Sequence, residues 1–146
     1  MIFSALVMML AQAVAIVPSP LPSDLPIAPL AGQNMPVRGC AAFLFAPGDK
    51  PVFLAQAGAD PAQLRVSLGG TVTDLPRTAQ SGAGSFGFGG TMNYAAGDVT
   101  AVLDMTIATR ADLKDGAAVK DATLRIERAG QDGVVVPVVG IVACAK

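Results

Sequence analysis

The stretch VTAVLDMTIAT, residues 99–109, alternates apolar and polar side chains with a period of two. Val99, Ala101, Leu103, Met105 and Ile107 share one face, and Thr100, Asp104 and Thr106 share the other. Successive side chains of a strand point to opposite faces, so this pattern predicts a half-buried β-strand. The β-branched residues in it fit a pleated surface.

The same period continues on both sides. TLRIER at 123–128 puts Leu124 and Ile126 inward and Arg125 and Glu127 outward, and LRVSL at 64–68 puts Leu64, Val66 and Leu68 on one face. The run Val134 to Val142 is almost wholly apolar and reads as a buried strand, with Pro137 at a bulge or an edge because it cannot donate to a ladder. Ala41 to Phe45 and Val52 to Ala55 are short strands joined by the turn Pro47-Gly48-Asp49-Lys50. Residues 85–94, SFGFGGTMNY, read as a strand with Phe86, Phe88, Met92 and Tyr94 on one face, and Gly87 and Gly89 on the other. Ala59-Asp60-Pro61-Ala62 reads as one helical turn, Ala111 to Asp121 as a polar connection and Asp132-Gly133 as a hairpin. No stretch carries helical spacing over ten residues. The expectation is an all-β domain, an antiparallel β-sandwich or small β-barrel of seven or eight strands.

Ahead of these strands the composition changes. Residues 1–17 are apolar apart from Ser4 and Gln12, and no charge precedes Asp24. Ala11-Gln12-Ala13 has the small-x-small form of a signal-peptidase site, so residues 1–13 read as a signal peptide. The rivals are an uncleaved membrane anchor, at the short end of the spanning range, and a buried core helix. Residues 14–37 hold six of the eleven prolines and read as an extended linker, with the domain running from 38 to 146.

Export permits disulfides, and Cys40 and Cys144 bracket the domain. One bridge between them would pin the first and last strands and contribute roughly 4–5 kcal/mol. Two buried free thiols are the alternative. A metal or redox pair would need Cys-x-x-Cys spacing or histidine, and the chain has neither.

Composition narrows the function classes. Charged residues are 14% of the chain and the net charge is −1. Nucleic acid needs a basic stripe, so it is not an expected partner. With no histidine, the usual triads and most zinc sites are absent. GAGSFG at 82–87 matches a dinucleotide fingerprint, but the motif needs a following helix and a strand pattern follows here. It reads as a glycine-rich hairpin, and no cofactor is expected. Asp112, Asp115 and Asp121 lack calcium-loop spacing and read as a solvated loop. Asp98, Asp104 and Glu127 are the carboxylates for an enzymatic alternative, although nothing in the sequence pairs them. The expected partner contact is a loop containing Ser81, Gly82, Gly84, Gly87 and Gly89, together with Asp98 in the turn Ala95-Ala96-Gly97-Asp98. Few side chains crowd that surface, so a neighbouring backbone or a ligand can approach closely.

Residues 64–103 resemble the central part of bacterial periplasmic inhibitors of C-type lysozyme. The resemblance rests on Leu68-Gly69-Gly70, Leu75, Ser81-Gly82, Phe86 and Phe88, Tyr94, Gly97-Asp98 and the strand Val99 to Leu103. It implies a small antiparallel β-barrel, a bridge such as Cys40–Cys144, and Ser81 as the loop serine of an inhibitor. Ala95-Ala96 stand where that family carries a lysine, and Gly84-Ser85-Phe86 where it carries Arg-Tyr. The resulting expectation is a periplasmic or secreted, non-catalytic binding or inhibitor-like module. Its partner would be an envelope protein or C-type lysozyme, with membrane contact only if the N-terminal segment stays uncleaved. An immunoglobulin-like envelope scaffold is the alternative outside that class.

Overall fold

A computed structural model describes residues 27–113 and 115–146. The expected signal peptide, with Ala11 and Ala13, lies outside the described residues. The described residues form nine strands: β1 (Ile27–Ala28), β2 (Cys40–Ala46), β3 (Val52–Ala59), β4 (Ala62–Leu68), β5 (Thr71–Ser81), β6 (Thr91–Ala96), β7 (Val99–Ala108), β8 (Gly116–Arg128) and β9 (Val134–Cys144). Eight of them close a ring in the order β4-β3-β2-β9-β8-β7-β6-β5, with β5 pairing back onto β4. Every pairing is antiparallel. The architecture is therefore a closed barrel, not a sandwich.

Closure depends on β5. Its first half pairs with β4 from Thr71↔Leu68 to Pro76↔Gln63, and its second half pairs with β6 from Arg77↔Tyr94 to Ser81↔Thr91. A bulge at Arg77–Ala79 lies at this handover. Bulges bend a strand and increase its twist, which lets one strand serve both sides of the seam.

The period-two patterns fill the interior. Val99, Ala101, Leu103 and Met105 of β7 point inward, as do Leu124 and Ile126 of β8 and Leu64 and Val66 of β4. Ile107 is only partly buried, because the ladder shifts register between Thr106 and Ile107. Eight strands leave an interior just wide enough for side chains. Tyr94, Leu44, Leu75 and Met92 complete the packing.

Four sequence expectations change. Residues 82–90 form a loop where a strand over 85–94 is expected, the strand there beginning only at Thr91, and the strand Thr71–Ser81, which the sequence did not signal, precedes the loop. Pro76 is tolerated because β5 changes partners there. Ala59–Ala62 is the hairpin turn between β3 and β4, not a helical turn, and the Asp60-Pro61 peptide in it is cis. The expected connection ending at Asp121 is strand from Gly116 onward, with both Lys120 and Asp121 exposed at a bulge that breaks the alternation. β9 is buried on one face only: Val136, Val138 and Val142 point in, while Val135 and Ile141 are 58% and 52% exposed. Pro137 lies beyond Val139, where β2 no longer pairs, which is an edge position.

The expected linker is packed from Ile27. β3 and β4 pair from Ala59↔Ala62 only as far as Ala55↔Val66. In the gap beyond, Ile27 and Ala28 pair with Leu68 and Ser67 of β4, and the Leu30 N–H donates to the Phe53 carbonyl of β3 at 2.8 Å. Ile27 and Leu30 are each 5% exposed. The boundary at residue 38 thus falls inside the packed unit, because two apolar residues between prolines are enough to plug the seam.

Cys40 and Cys144 are directly opposed in the β2–β9 ladder and bonded, with their Cα atoms 3.9 Å apart. They mark one end of the barrel, the cysteine end. The Ala59–Ala62 turn, the 82–90 loop and the β7–β8 connection lie at the same end by strand direction. The turns at 47–51, 69–70, 97–98 and 129–133 lie at the opposite end.

Candidate functional site

The glycine-rich loop folds back on itself over the cysteine end. Phe88 N–H donates to the Ser85 carbonyl at 3.0 Å, closing a turn in which Phe86 and Gly87 both have positive φ, 59° and 87°. Glycine supplies that geometry at no steric cost, whereas Phe86 adopts it against its own Cβ. The two arms of the loop touch backbone to backbone: a Cβ on Gly84 would overlap the Phe88 carbonyl, and one on Gly89 would lie 2.9 Å from the Ser81 carbonyl oxygen. At Gly87 a Cβ would stand 2.8 Å from that of Ala59 in the β3–β4 hairpin. The glycines therefore serve close packing, which leaves Ala83, Gly84 and Ser85 as the exposed tip.

Arg77 holds the loop down. Its guanidinium lies 5.8 Å from the Phe88 ring centroid and 5.9 Å from that of Tyr94. Nη1 donates to the Gly87 carbonyl at 3.1 Å and to Gln80 Oε1 at 2.8 Å, and Nη2 reaches the Gly58 carbonyl at 3.5 Å. A cation between two rings and three acceptors fixes the loop to the barrel mouth. Phe88 is 4% exposed and closes that mouth from above. The Tyr94 hydroxyl donates to Met92 Sδ at 3.4 Å. Burial pushes the Tyr94 pKa above its ordinary value, and the Arg77 charge opposes the shift.

The sequence-predicted contact splits in two. Ser81 is exposed at the last position of β5, paired with Thr91, and Gly82, Gly84, Gly87 and Gly89 follow it at the cysteine end. Asp98 sits in the β6–β7 turn at the opposite end. β6 separates them by six residues, or ~20 Å at ~3.3 Å per residue. One partner surface of ordinary loop size does not include both.

The carboxylates divide likewise. Asp98 and Glu127 line a shallow concavity at the far end with Arg128, whose Nε is 3.9 Å from Asp98 Oδ1. Asp104 lies on the outer wall and accepts a 2.6 Å hydrogen bond from Thr91 Oγ1. It is four residues along β7 from Thr100, or ~13 Å. In the remaining acidic group, Asp112 is engaged by Arg110 at 3.1 Å and Asp121 belongs to β8.

A groove that the sequence did not signal runs outside the β3–β4 hairpin. Residues 33–37 cross over Gln56, Gly58, Gln63 and Arg65. Arg65 donates to Gln33 Oε1 at 2.8 Å and to both carboxylate oxygens of Asp74 at 2.7 and 3.0 Å. These partners share the Arg65 charge and strap the N-terminal segment onto the barrel. Nothing in the local sequence marks Arg77 or Arg65, because a lone arginine on a strand is ordinarily solvated; only their cross-strand partners give them roles.

Compared with protein families, curated proteins and solved structures, the chain matches none.

Proposed function

We propose that the chain is a non-catalytic binding domain of an oxidising compartment such as the bacterial envelope, and that its contact is the tip Ala83-Gly84-Ser85. The observation that carries this reading is the loop's own construction. Five glycines spread through residues 82–90 would be costly to order in isolation. Here the loop's own backbone packing and the Arg77 clamp hold it. A loop ordered before binding spares a partner that cost, which is how rigid inhibitor loops gain affinity. The Cys40–Cys144 bridge supports the compartment, since such bonds persist where thiols are oxidised. The interior is filled by side chains, so the reading places recognition on the outside. Envelope proteins are the partner class, with C-type lysozyme as the specific candidate.

The test is site-specific photo-crosslinking in the exported protein, with the reactive group at Ser85 and, separately, at Asp98. The reading expects a discrete adduct from Ser85 and none from Asp98. No adduct from Ser85, or equal yields from both ends, overturns it. A parallel inhibition assay narrows the partner. With Ala95 and Ala96 in place of a lysine, weak or absent inhibition of C-type lysozyme is expected; tight inhibition abolished by Ser81→Ala would identify lysozyme as the target.

A further inference from the structure

We propose that the outer wall formed by β3, β2 and β9 rests against a lipid surface. The ladders place Phe43 opposite Ile141 and Phe45 opposite both Val139 and Phe53. The Phe53 ring lies 5.1 Å from that of Phe45 and 6.0 Å from that of Phe43. Val135 extends the same face along β9, where the outward positions 135 to 143 read Val, Pro, Val, Ile and Ala. None of these positions carries a charge or a side-chain hydrogen-bonding group. The other walls do: Arg65 and Asp74 on β4 and β5, Asp104 on β7, and Arg125 and Glu127 on β8. The barrel exterior is thus apolar on one side only, the mark of an interaction face.

Two features favour lipid as the occupant. The wall offers clustered aromatic and branched aliphatic groups, and its one polar side chain, Gln56 opposite Phe43, lies under residues 33–37 rather than among them, so little is left of the kind that fixes register in a protein interface. Pro137 stands in the half of β9 that β2 leaves unpaired, which guards that edge against an added strand. The second feature is where the chain enters. Leu30 bonds to Phe53, so the N-terminal segment joins the barrel at this wall's border. The sequence before it is free of charge up to Asp24 and apolar through residues 1–17. A leader held in a bilayer would deliver this wall to the same surface, where aromatic side chains are favoured. The proposal stands on the wall itself, independent of the Ser85 contact.

The chain has no tryptophan, so single substitutions report cleanly. The experiment introduces Phe45→Trp, Ile141→Trp or Val72→Trp into the full chain and adds phosphatidylcholine–phosphatidylglycerol vesicles with brominated acyl chains. Val72 is 53% exposed on β5, three strands round the barrel from β2. The expected result is several-fold stronger quenching at positions 45 and 141 than at 72, with Ile141→Lys abolishing it in the Phe45→Trp background. Equal quenching at all three positions means the leader alone holds the chain and overturns the proposal. So does an absence of quenching. A change in emission that follows protein concentration rather than lipid assigns the wall to a second copy and overturns it as well.

Discussion

Replacing Leu30 by alanine tests whether the proline-rich segment belongs to the fold. Leu30 is 5% exposed, and its N–H holds the Phe53 carbonyl across the β3–β4 gap. Burying a leucine side chain contributes roughly 1.5–3 kcal/mol, and leucine-to-alanine changes in cores cost about 2–5 kcal/mol. Leu30 lies outside the main core cluster, where neighbours can relax into the space, so the lower end applies: ~2 kcal/mol. Val37 lies in the same segment but is 94% exposed, and Val37→Ala should stay within about 0.5 kcal/mol of the parent. Urea titration followed by far-ultraviolet circular dichroism measures both, with an unchanged slope showing that the unfolded state is unaffected. If Leu30→Ala matches Val37→Ala, the segment is a tether and β1 contributes nothing. The prediction extends to truncation. A chain starting at residue 38 lacks both Ile27 and Leu30 and leaves the seam open, so it should lose more than the single substitution.

Reducing the Cys40–Cys144 bridge, which spans 104 residues, should lower stability by ~4–5 kcal/mol, and the double Cys→Ser variant should show the same loss by urea titration. A change below about 1 kcal/mol would mean that the β2–β9 ladder alone sets the ends together. Tyr94 is the sole tyrosine, and burial raises its pKa above the ordinary value of 10.0. The fold favours the protonated form, so this contribution is complete below pH 10.0 and declines as the unfolded state ionises above it. Tyrosinate absorbance of the folded protein should therefore rise at higher pH than that of the unfolded chain; its appearance near pH 10.0 in a folded protein would refute the burial argument.

How legible the fold was depended on whether alternation survived locally. β7 and the second half of β8 were readable because Leu103, Met105, Leu124 and Ile126 keep strict period two into a filled interior. β5 was not, since only Leu75 of its eleven residues is buried and Pro76 interrupts it. Its pairing is set by partners on two sides rather than by its own pattern. The first half of β8 was hidden by Lys120-Asp121, where a bulge puts two consecutive residues outside. The disulfide was legible because the sequence has only two cysteines and the expected export would favour their pairing. The 82–90 loop was recognised as special, but its closeness to Asp98 in sequence concealed the length of β6 between them. The Arg77 clamp and the 33–37 strap depend on contacts 10 and 32 residues apart, beyond the reach of any local pattern.

The filled interior has a consequence for how such a domain can act. A barrel of eight strands can hold a small ligand only if its inward side chains are small. Here Tyr94, Met92 and the leucines of β2, β4, β5, β7 and β8 take up that volume, and Phe88 closes the mouth. The proposed binding role would therefore fall to the exterior, which is not uniform. The cysteine end carries a loop ordered by Arg77, the β3–β2–β9 wall is uncharged, and the remaining walls are polar. If the wall faces a lipid surface, the barrel lies on its side, because the apolar positions run along β2 and β9 rather than across one end. The cysteine end then points along the surface instead of into it. Ser85 would remain open to a partner in the same compartment, so docking on lipid and contact through the loop are compatible rather than competing uses of one barrel.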